Sequence, residues 1–259
     1  LAGSENMSDG GQEIILPDFA FPSPDSDGSN IRANDAGTPT ISGITDNTLP
    51  GEAVGIIGEG LSGARLAVIN DGKVYNIAPL RSDDTKLQAV IPEDFSDAVS
   101  VVFAYNENGV GNPIRLNAPD VYWVFADLCH GEENQSVRFF GSSLSAQNAE
   151  PEIYVYDESG NGQKLVVTES DKYHIDAVIP DEIAGDDVYF WVSNGTGGEN
   201  GWTRTEKVFV REKTERPMEK LEVLKLSDFG AVPDDGKSDS AAINSAISAA
   251  RESGGAVLL

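Results

Sequence analysis

Short runs of apolar residues alternate with polar ones over most of the chain, and Gly, Pro, Asn and Asp separate the runs. Alternation with a period of two places successive side chains on opposite faces of a β-strand. Between residues 38 and 211 the pattern predicts short strands at the spacing typical of β-sandwich domains. We predict strands at residues 40–44, 53–57, 64–69, 73–77, 87–91, 99–105, 113–117, 121–126, 136–140, 152–156, 164–168, 174–179, 187–193 and 207–211.

The two halves of this region resemble each other. Residues 53–61 (Ala-Val-Gly-Ile-Ile-Gly-Glu-Gly-Leu) parallel residues 136–144 (Ser-Val-Arg-Phe-Phe-Gly-Ser-Ser-Leu), and Ala-Val-Ile-Pro occurs at both 89–92 and 177–180. The first pair is separated by 83 positions and the second by 88, so the second copy has extra residues, which we place in a hairpin around 157–162. The repeat predicts two tandem sandwiches of roughly 85 residues each.

The periodicity becomes helical near the C-terminus, at residues 239–253. Asp239 is placed to cap the first turn and Gly254 to end the helix in the left-handed conformation. One narrow face collects the apolar residues Ile243, Ala246, Ile247 and Ala250.

These patterns divide the chain into five parts. Residues 1–37 are rich in Gly, Ser, Asp and Pro and are predicted to be a flexible leader. Two apolar islands in the leader, at 14–16 and 19–21, are candidates to dock on the next domain. The remaining parts are a first domain at 38–118, a second at 119–211, a linker at 212–220 and a C-terminal segment at 221–259.

The first domain resembles the IPT/TIG family of immunoglobulin-like sandwiches. The resemblance is carried by Pro39-Thr40-Ile41-Ser42-Gly43-Ile44, by the Pro50-Gly51-Glu52 turn and by Gly58-Glu59-Gly60-Leu61. The second domain departs from the family at its start, where Pro119-Asp120-Val121-Tyr122-Trp123 replaces Pro-x-Ile. Its identification as a sandwich therefore rests on its strand pattern.

The C-terminal segment resembles the start of the pectate-lyase-like superfamily. A strand is followed by Asp228-Phe229-Gly230-Ala231, an Asp235-Gly236 turn, Ala-Ile pairs at 242–243 and 246–247, and Gly254-Gly255. The resemblance implies that this segment is the truncated start of a right-handed parallel β-helix whose remaining coils are missing. With the two tandem immunoglobulin-like sandwiches before it, the predicted fold class is all-β. An ordinary helix in a small α/β unit is the alternative.

Charge and composition narrow the choice of partners. The formal net charge is −25, which disfavours nucleic acid and anionic lipid surfaces. The chain has no apolar run long enough for a membrane span. The single cysteine, Cys129, and its neighbour His130 lack the further ligands of a zinc site, and we predict that Cys129 is a small apolar residue.

We predict no catalytic residue, metal site or cofactor. Glycosidic cleavage needs two carboxyl groups placed across a bound sugar, and no pair in this sequence indicates that arrangement. Calcium remains an alternative for the acidic turns, although such turns are commoner without a metal; the residues concerned are Asp25, Asp27, Asp234, Asp235 and Asp239.

Strand polarity gives one set of candidate contact residues. In 99–105 the odd positions are the more apolar and are predicted to face the core. Aligning the second copy turns Tyr189 and Trp191 inward and leaves Val188, Phe190 and Val192 on the outer face. That row predicts an interdomain contact or a ligand cover. Trp123, in another strand, is predicted to pack in the core.

The loop at 194–202 gives the candidate glycan-binding residues Trp202, Asn200 and Glu199. An exposed indole can stack on the C–H face of a sugar, while amide and carboxylate groups bind its hydroxyls. The alternative is that this Gly-rich loop with one Trp fills a gap between domains. Trp202→Ala is expected to lower retention on polysaccharide gels without unfolding the domain.

Together these features predict the non-catalytic N-terminal modules of a polysaccharide-degrading β-helix enzyme, secreted or on the cell surface, and bacterial. The β-helix family implies hydrolysis or β-elimination in the parent protein, with hydrolysis favoured because an acidic surface repels uronic acids. The expected partners are a polysaccharide or glycan and the protein's own β-helix. The stalk of a glycan-binding adhesin and a structural spacer are alternatives.

Overall fold

The computed structural model describes residues 6–9, 12–26, 28–31, 34–128, 136–183, 185–211, 222–252 and 256–258. The chain divides into two units, Leu1–Lys213 and Thr214–Leu259. The first unit consists of β-strands with short 3-10 turns, and the described part of the second has short strands and one α-helix. The predicted linker at 212–220, the glycines 254 and 255, and Cys129 with His130 lie outside the described residues.

An N-terminal hairpin and eight strands form the first half of unit one. The hairpin is β1 (Asn6–Asp9) and β2 (Gln12–Ile15). The strands that follow are β3 (Thr40–Ile44), β4 (Ala53–Glu59), β5 (Arg65–Asn70), β6 (Lys73–Ile77), β7 (Arg81–Ser82), β8 (Lys86–Val90), β9 (Ser100–Asn106) and β10 (Gly109–Leu116). They form two antiparallel sheets, β3-β4-β8-β7 and β10-β9-β5-β6, the arrangement of an immunoglobulin-like sandwich.

The second half repeats this arrangement. Its strands are β11 (Asp120–Leu128), β12 (Ser136–Ser142), β13 (Glu152–Tyr156), β14 (Gly162–Lys164), β15 (Val166–Ser170), β16 (His174–Val178), β17 (Asp187–Ser193), β18 (Trp202–Arg204) and β19 (Val208–Phe209). The sheets are β11-β12-β16-β15 and β14-β13-β17-β18, with β19 pairing the start of β17. The all-β class and the sandwich architecture predicted from the strand pattern are confirmed.

Two local features recur at equivalent positions of the sandwiches. A Cβ atom at Gly58 would lie 1.8 Å from the carbonyl oxygen of Thr40, and one at Gly141 would lie 1.9 Å from that of Asp120. Each glycine allows its strand to approach the irregular first strand of the sandwich closely. The recurrence supports an internal duplication.

The turn between β7 and β8 of the first sandwich also recurs, between β15 and β16 of the second. The Asp83 carboxylate accepts hydrogen bonds from the N–H groups of Thr85 (2.8 Å) and Lys86 (2.9 Å). The Asp171 carboxylate accepts them from Tyr173 (2.6 Å) and His174 (2.8 Å). In both cases the bond from the residue two positions on is the main reason why the pKa of the aspartate lies below its usual value.

Gly141→Ala is expected to lower the free energy of unfolding by about 1–3 kcal/mol, because the new methyl group would displace the backbone of β11. Urea unfolding followed by fluorescence measures this change. The matched control is Gly55→Ala, since a Cβ atom there meets only Thr45 Oγ1 at 3.5 Å. Equal stability of the two variants would contradict the close approach of β11 and β12.

The core of the second sandwich corrects one sequence prediction. Val188, Phe190 and Val192 do not form an outer row, since they are buried between the two sheets with Phe139 and Ile153. The neighbouring strand position, Trp191, is buried as well, although it lies on the outer face. Because β17 is buried on both faces, polarity alone does not reveal its inward side.

The same inversion holds in β9 of the first sandwich. Val102 and Ala104 face the core, whereas Val101, Phe103 and Tyr105 lie on the outer face. There they are covered by Leu16, Phe19 and Phe21, three residues of the N-terminal segment that follows β2. The docking predicted for the apolar islands is thus observed for these residues, and this part of the leader is packed rather than flexible.

The described part of the C-terminal unit is a parallel strand pair joined by a helix. Strand β20 (Glu222–Leu224) pairs with β21 (Ala256–Leu258), and α1 (Ser240–Glu252) lies between them in sequence. The helix buries Ala242 and Ala246, while Ile243 and Ile247 are exposed, which corrects the predicted apolar face.

Two acidic side chains of this unit bind backbone groups. The Asp239 carboxylate accepts from the N–H of Val232 (3.2 Å) and not from the first helical turn, where a cap was predicted. The Asp235 carboxylate accepts from the N–H of Lys237 (2.8 Å). Among the described residues, no helix is long and apolar enough to cross a membrane.

Candidate functional site

Aromatic side chains cover the outer face of the β14-β13-β17-β18 sheet in the second sandwich. Strand pairing sets Tyr154 opposite Trp191 and Tyr156 opposite Tyr189, and Trp202 begins the next strand of the sheet. Because residues two apart on a strand point to the same side, all these rings lie on one surface. We call this surface the five-ring face: Tyr154, Tyr156, Tyr189, Trp191 and Trp202.

The rings contact one another in pairs across strands. Tyr156 and Tyr189 stack with centroids 5.5 Å apart and planes at 10°. Tyr154 and Trp202 meet edge to face at 5.5 Å and 66°. Such cross-strand aromatic pairs stabilise the sheet and hold the rings in defined orientations. Trp191 is fully buried beneath its neighbours, whereas the other four rings are half-buried and keep part of their surface open.

Charged groups border the five-ring face. The guanidinium of Arg204 lies 5.0 Å from the centroid of Tyr189 and 5.9 Å from that of Trp191. At the other edge, Lys164 Nζ and Glu152 Oε2 are 2.7 Å apart. The face therefore combines partly open ring surface with hydrogen-bond donors and acceptors at its border.

The first sandwich has a cover at the equivalent position. In the first sandwich the equivalent outer surface, with Val101, Phe103 and Tyr105, is aliphatic and aromatic and is covered by the N-terminal segment. Within the described residues, the second sandwich has no such cover over its five-ring face. Its tyrosines retain hydroxyl groups and partial exposure, so the surface suits a partner that is both apolar and polar.

The Gly-rich loop beside Trp202 connects the two sandwiches. Asn194 is buried, and its amide donates to the carbonyl oxygens of Asn117 and Ser143, each at 3.1 Å. Thr196 Oγ1 accepts from the N–H of Val99 at 2.9 Å. These bonds join elements far apart in sequence, and a groove of about 980 Å³ runs beside them between the sandwiches.

We call this contact between the sandwiches, made by Asn194 with Asn117 and by Thr196 with Val99, the joint. Arg115 also belongs to it. Its guanidinium, on β10, donates to the carbonyl oxygens of Asn200 (3.2 Å) and Trp202. The same group lies 5.1 Å from the ring centroid of Phe21 in the N-terminal segment. Burial lowers the pKa of Arg115 from its usual value, since the charged form loses water. One side chain therefore ties together three parts of unit one.

The three residues predicted to bind glycan lie in different environments. Trp202 belongs to the five-ring face. Asn200 is half-buried beside the interdomain groove, and its carbonyl group is bound to Arg115. Glu199 is exposed in the 3-10 turn Gly198–Gly201. The loop thus also fills the gap between domains, the alternative that the sequence left open.

Sequence reasoning missed Tyr154, Tyr156, Tyr189 and Arg204. The available signal was the alternation of aromatic and aliphatic residues in Ile153-Tyr154-Val155-Tyr156, which marks one wholly aromatic side of a strand. This signal can be used only when the side of each strand that faces the core is known. The prediction for β17 turned its aromatic side chains toward the core, and the aromatic surface was therefore missed.

One further cluster has side chains of the metal-binding type. Ligand atoms of Glu169, His174 and Asp176 lie within 4.8 Å of one another, on the opposite sheet of the second sandwich. Asp176 is engaged in an ion pair with Arg138 at both of its oxygens, and that pair would have to break before a cation could bind. The arrangement fits an internal charge network better than a metal site.

No protein-family model and no curated protein matches the chain. A pullulanase from Anoxybacillus sp. LM18-11 complexed with maltotriose is 13% identical, with a TM-score of 0.35 over 74% of this chain and 32% of that one. SGBP-B of the Bacteroides ovatus mixed-linkage glucan utilization locus, in complex with a mixed-linkage heptasaccharide, is 14% identical (TM-score 0.28, 76% and 56%).

Tandem Ig domains of titin are 13% identical, with a TM-score of 0.23 over 68% of this chain and 96% of that chain. The chain spans 26% of the γ-CGTase from Alkalophilic bacillus clarkii. At these identities and TM-scores the likenesses carry no conclusion about activity or ligand.

Proposed function

We propose that unit one is a glycan-binding accessory region of a secreted or cell-surface polysaccharide-degrading protein of bacterial origin. The observation that carries this proposal is the five-ring face, an aromatic surface that stays partly open among the described residues, whereas the equivalent surface of the duplicate sandwich is covered by the N-terminal segment. We further propose that the first sandwich is of the IPT/TIG type and that the two sandwiches span residues 38–118 and 119–211.

The chemistry of the face favours a neutral polysaccharide. Tyrosine and tryptophan rings offer apolar area for the C–H groups of a sugar, and tyrosine hydroxyls and Arg204 bind sugar hydroxyls. The formal charge of −25 disfavours an acidic polysaccharide through long-range repulsion. Trp202 contributes directly to this site, and Asn200 and Glu199 belong to the loop that precedes it.

The joint supports a positioning role. Hydrogen bonds from Arg115 on β10 to Asn200 and from Asn194 to Asn117 link the two sandwiches, so a glycan bound to the second sandwich has a fixed direction relative to the first. A binding module that is held rigidly can present a polymer to a neighbouring domain. The same rigidity suits the stalk of an adhesin, which is the alternative function.

We also propose that the C-terminal unit is the start of a right-handed parallel β-helix that follows the two sandwiches. Support comes from the parallel pairing of β20 and β21 around a helix. The unit also exposes Val223, Val232, Ile243 and Ile247, apolar side chains that the coils of a solenoid would cover.

The proposed function is tested by affinity electrophoresis of the full chain in gels containing hydroxyethyl cellulose, galactomannan or pullulan, with polygalacturonate as the acidic comparison. Retardation is expected in at least one neutral gel. Trp202→Ala and Tyr189→Ala are each expected to weaken binding about tenfold, or about 1.4 kcal/mol.

The matched control is Tyr173→Ala, which removes an exposed ring from a turn outside the five-ring face. It is expected to migrate like the unaltered chain in every gel. If no neutral gel retards the chain, the proposed glycan binding is contradicted and the role of a structural spacer is favoured instead. Retardation that both face variants retain in full would exclude the five-ring face as the site.

A further inference from the structure

A second aromatic surface lies on the opposite sheet of the second sandwich. Trp123 and Phe125 of β11 and Phe140 of β12 point outward from the β11-β12-β16-β15 sheet, and we call them the three-ring face. Trp123 and Phe140 are nearly parallel, with centroids 5.4 Å apart and planes at 13°. Phe125 extends the row, with its centroid 5.4 Å from that of Trp123.

Trp123 is the most open ring of this surface. Its relative exposure is 58%, whereas the sequence predicted that it packs in the core. The difference arises because β11 has irregular pairing on both sides of Trp123, which changes the side of the sheet that each residue faces. A large apolar ring held outward by its neighbours indicates a contact with a partner more than it indicates folding stability.

The border of the three-ring face is polar and preorganised. Arg138 is paired with Asp176 at both carboxylate oxygens and lies 6.0 Å from the ring centroid of Phe140. His174, opposite Phe140 on the neighbouring strand, has Nδ1 2.9 Å from Asp171 Oδ2. These groups supply hydrogen-bond donors and acceptors in fixed positions. An acidic ligand would need an excess of positive charge, which these groups do not provide.

We propose that the three-ring face is a second binding site for a neutral polysaccharide, so that the second sandwich holds two glycan segments on opposite sheets. This inference rests on the proposed function for its ligand class. The aromatic rings lie next to the Arg138–Asp176 ion pair on the same surface. A sugar chain matches this arrangement, because its C–H surfaces can stack on the rings while its hydroxyl groups bind the charged groups. The border has one arginine, Arg138, against Asp171 and Asp176, and this lack of net positive charge fits a neutral chain better than an acidic one.

Two sites on one rigid domain have a consequence for polymers. Once one segment is bound, a second segment of the same polymer is present at high effective concentration, and retention exceeds that of either site alone. Two separate chains bound on opposite sheets would instead be cross-linked. Short oligosaccharides, which reach only one face, distinguish the number of sites from the avidity that they produce together.

The test is calorimetric titration of the full chain with cellohexaose, mannohexaose and maltohexaose. We expect two oligosaccharides per chain for the hexasaccharide that binds, and one per chain for Trp123→Ala. Tyr189→Ala is also expected to bind one, and the double variant none. On the matching polymer, either single variant should lose at least tenfold in apparent affinity.

Trp123→Phe keeps a ring in place and is expected to retain both sites, which separates stacking from folding; circular dichroism of each variant confirms that it is folded. One oligosaccharide per unaltered chain, lost in Tyr189→Ala and kept in Trp123→Ala, would overturn this inference and leave the proposed function standing. A Trp123→Ala variant that changes only the oligomeric state would also overturn it, since a second copy would then be the partner.

Discussion

Phe190→Ala is expected to lower the free energy of unfolding by about 3–5 kcal/mol, the usual cost of removing a fully buried aromatic ring. The ring lies between the sheets of the second sandwich and meets Phe139 edge to face, with centroids 5.0 Å apart. Its loss leaves a cavity at the centre of the core that backbone strands cannot collapse to fill. Urea unfolding of the full chain, monitored by far-ultraviolet circular dichroism, measures the effect.

The neighbouring residue provides the control. Tyr189→Ala removes a ring of similar size from the half-buried outer face of the same strand, so we expect a clearly smaller loss of stability. Glycan affinity should respond in the opposite order, with Tyr189→Ala weakening binding. A larger loss of stability in Tyr189→Ala than in Phe190→Ala would mean that β17 presents its other side to the core.

Arg115→Ala is expected to destabilise unit one by about 2–4 kcal/mol, because two partly buried carbonyl groups, those of Asn200 and Trp202, lose their charged donor. The contact with Phe21 is lost with them. We also expect the sandwiches to change their relative orientation more freely. Hydrogen exchange reports this as faster exchange of the Val99 N–H, which is bound to Thr196 across the joint.

The control for this variant is Arg81→Ala, which removes an exposed arginine from the edge strand β7 of the first sandwich. It carries the same change in net charge and is expected to alter stability by less than about 0.5 kcal/mol. Unchanged exchange at Val99 in Arg115→Ala, with unchanged stability, would contradict the role of Arg115 in holding the joint.

Strand positions could be predicted well from the sequence. The strands at 40–44, 73–77, 152–156 and 187–193 have the predicted limits, because Gly, Pro, Asn and Asp residues end each apolar run. The extra residues of the second copy also lie in part where predicted. The turn between β5 and β6 contains only Asp71 and Gly72, whereas residues 157–161 separate β13 from β14.

The orientation of the central strands could not be predicted. In β9 both faces are covered, one by the opposite sheet and the other by the N-terminal segment, and on the outer face of β17 Trp191 is buried and Tyr189 half-buried. Alternation of polar and apolar residues weakens when neither side is fully exposed to water, so the more apolar side is not necessarily the inner one. The outward row predicted at Val188, Phe190 and Val192 failed for this reason.

The candidate site was visible only in part. Trp202 stood out because it follows a Gly-rich loop, but its partner Tyr154 is 48 positions earlier in the chain. The register that brings Tyr154 beside Trp191, and Trp191 beside Arg204, depends on strand order within the sheet. A single sequence does not determine that order, so the five-ring face emerges only in three dimensions.

The most direct test of the central claim is nuclear magnetic resonance of the three tryptophan indole N–H groups during titration with the neutral hexasaccharide that binds. Trp→Phe variants assign the signals. Binding at the five-ring face predicts a saturable shift of the Trp202 indole signal that disappears in Tyr189→Ala. A Trp202 signal that stays fixed while the same oligosaccharide binds, or the absence of binding by any neutral hexasaccharide, would contradict the account.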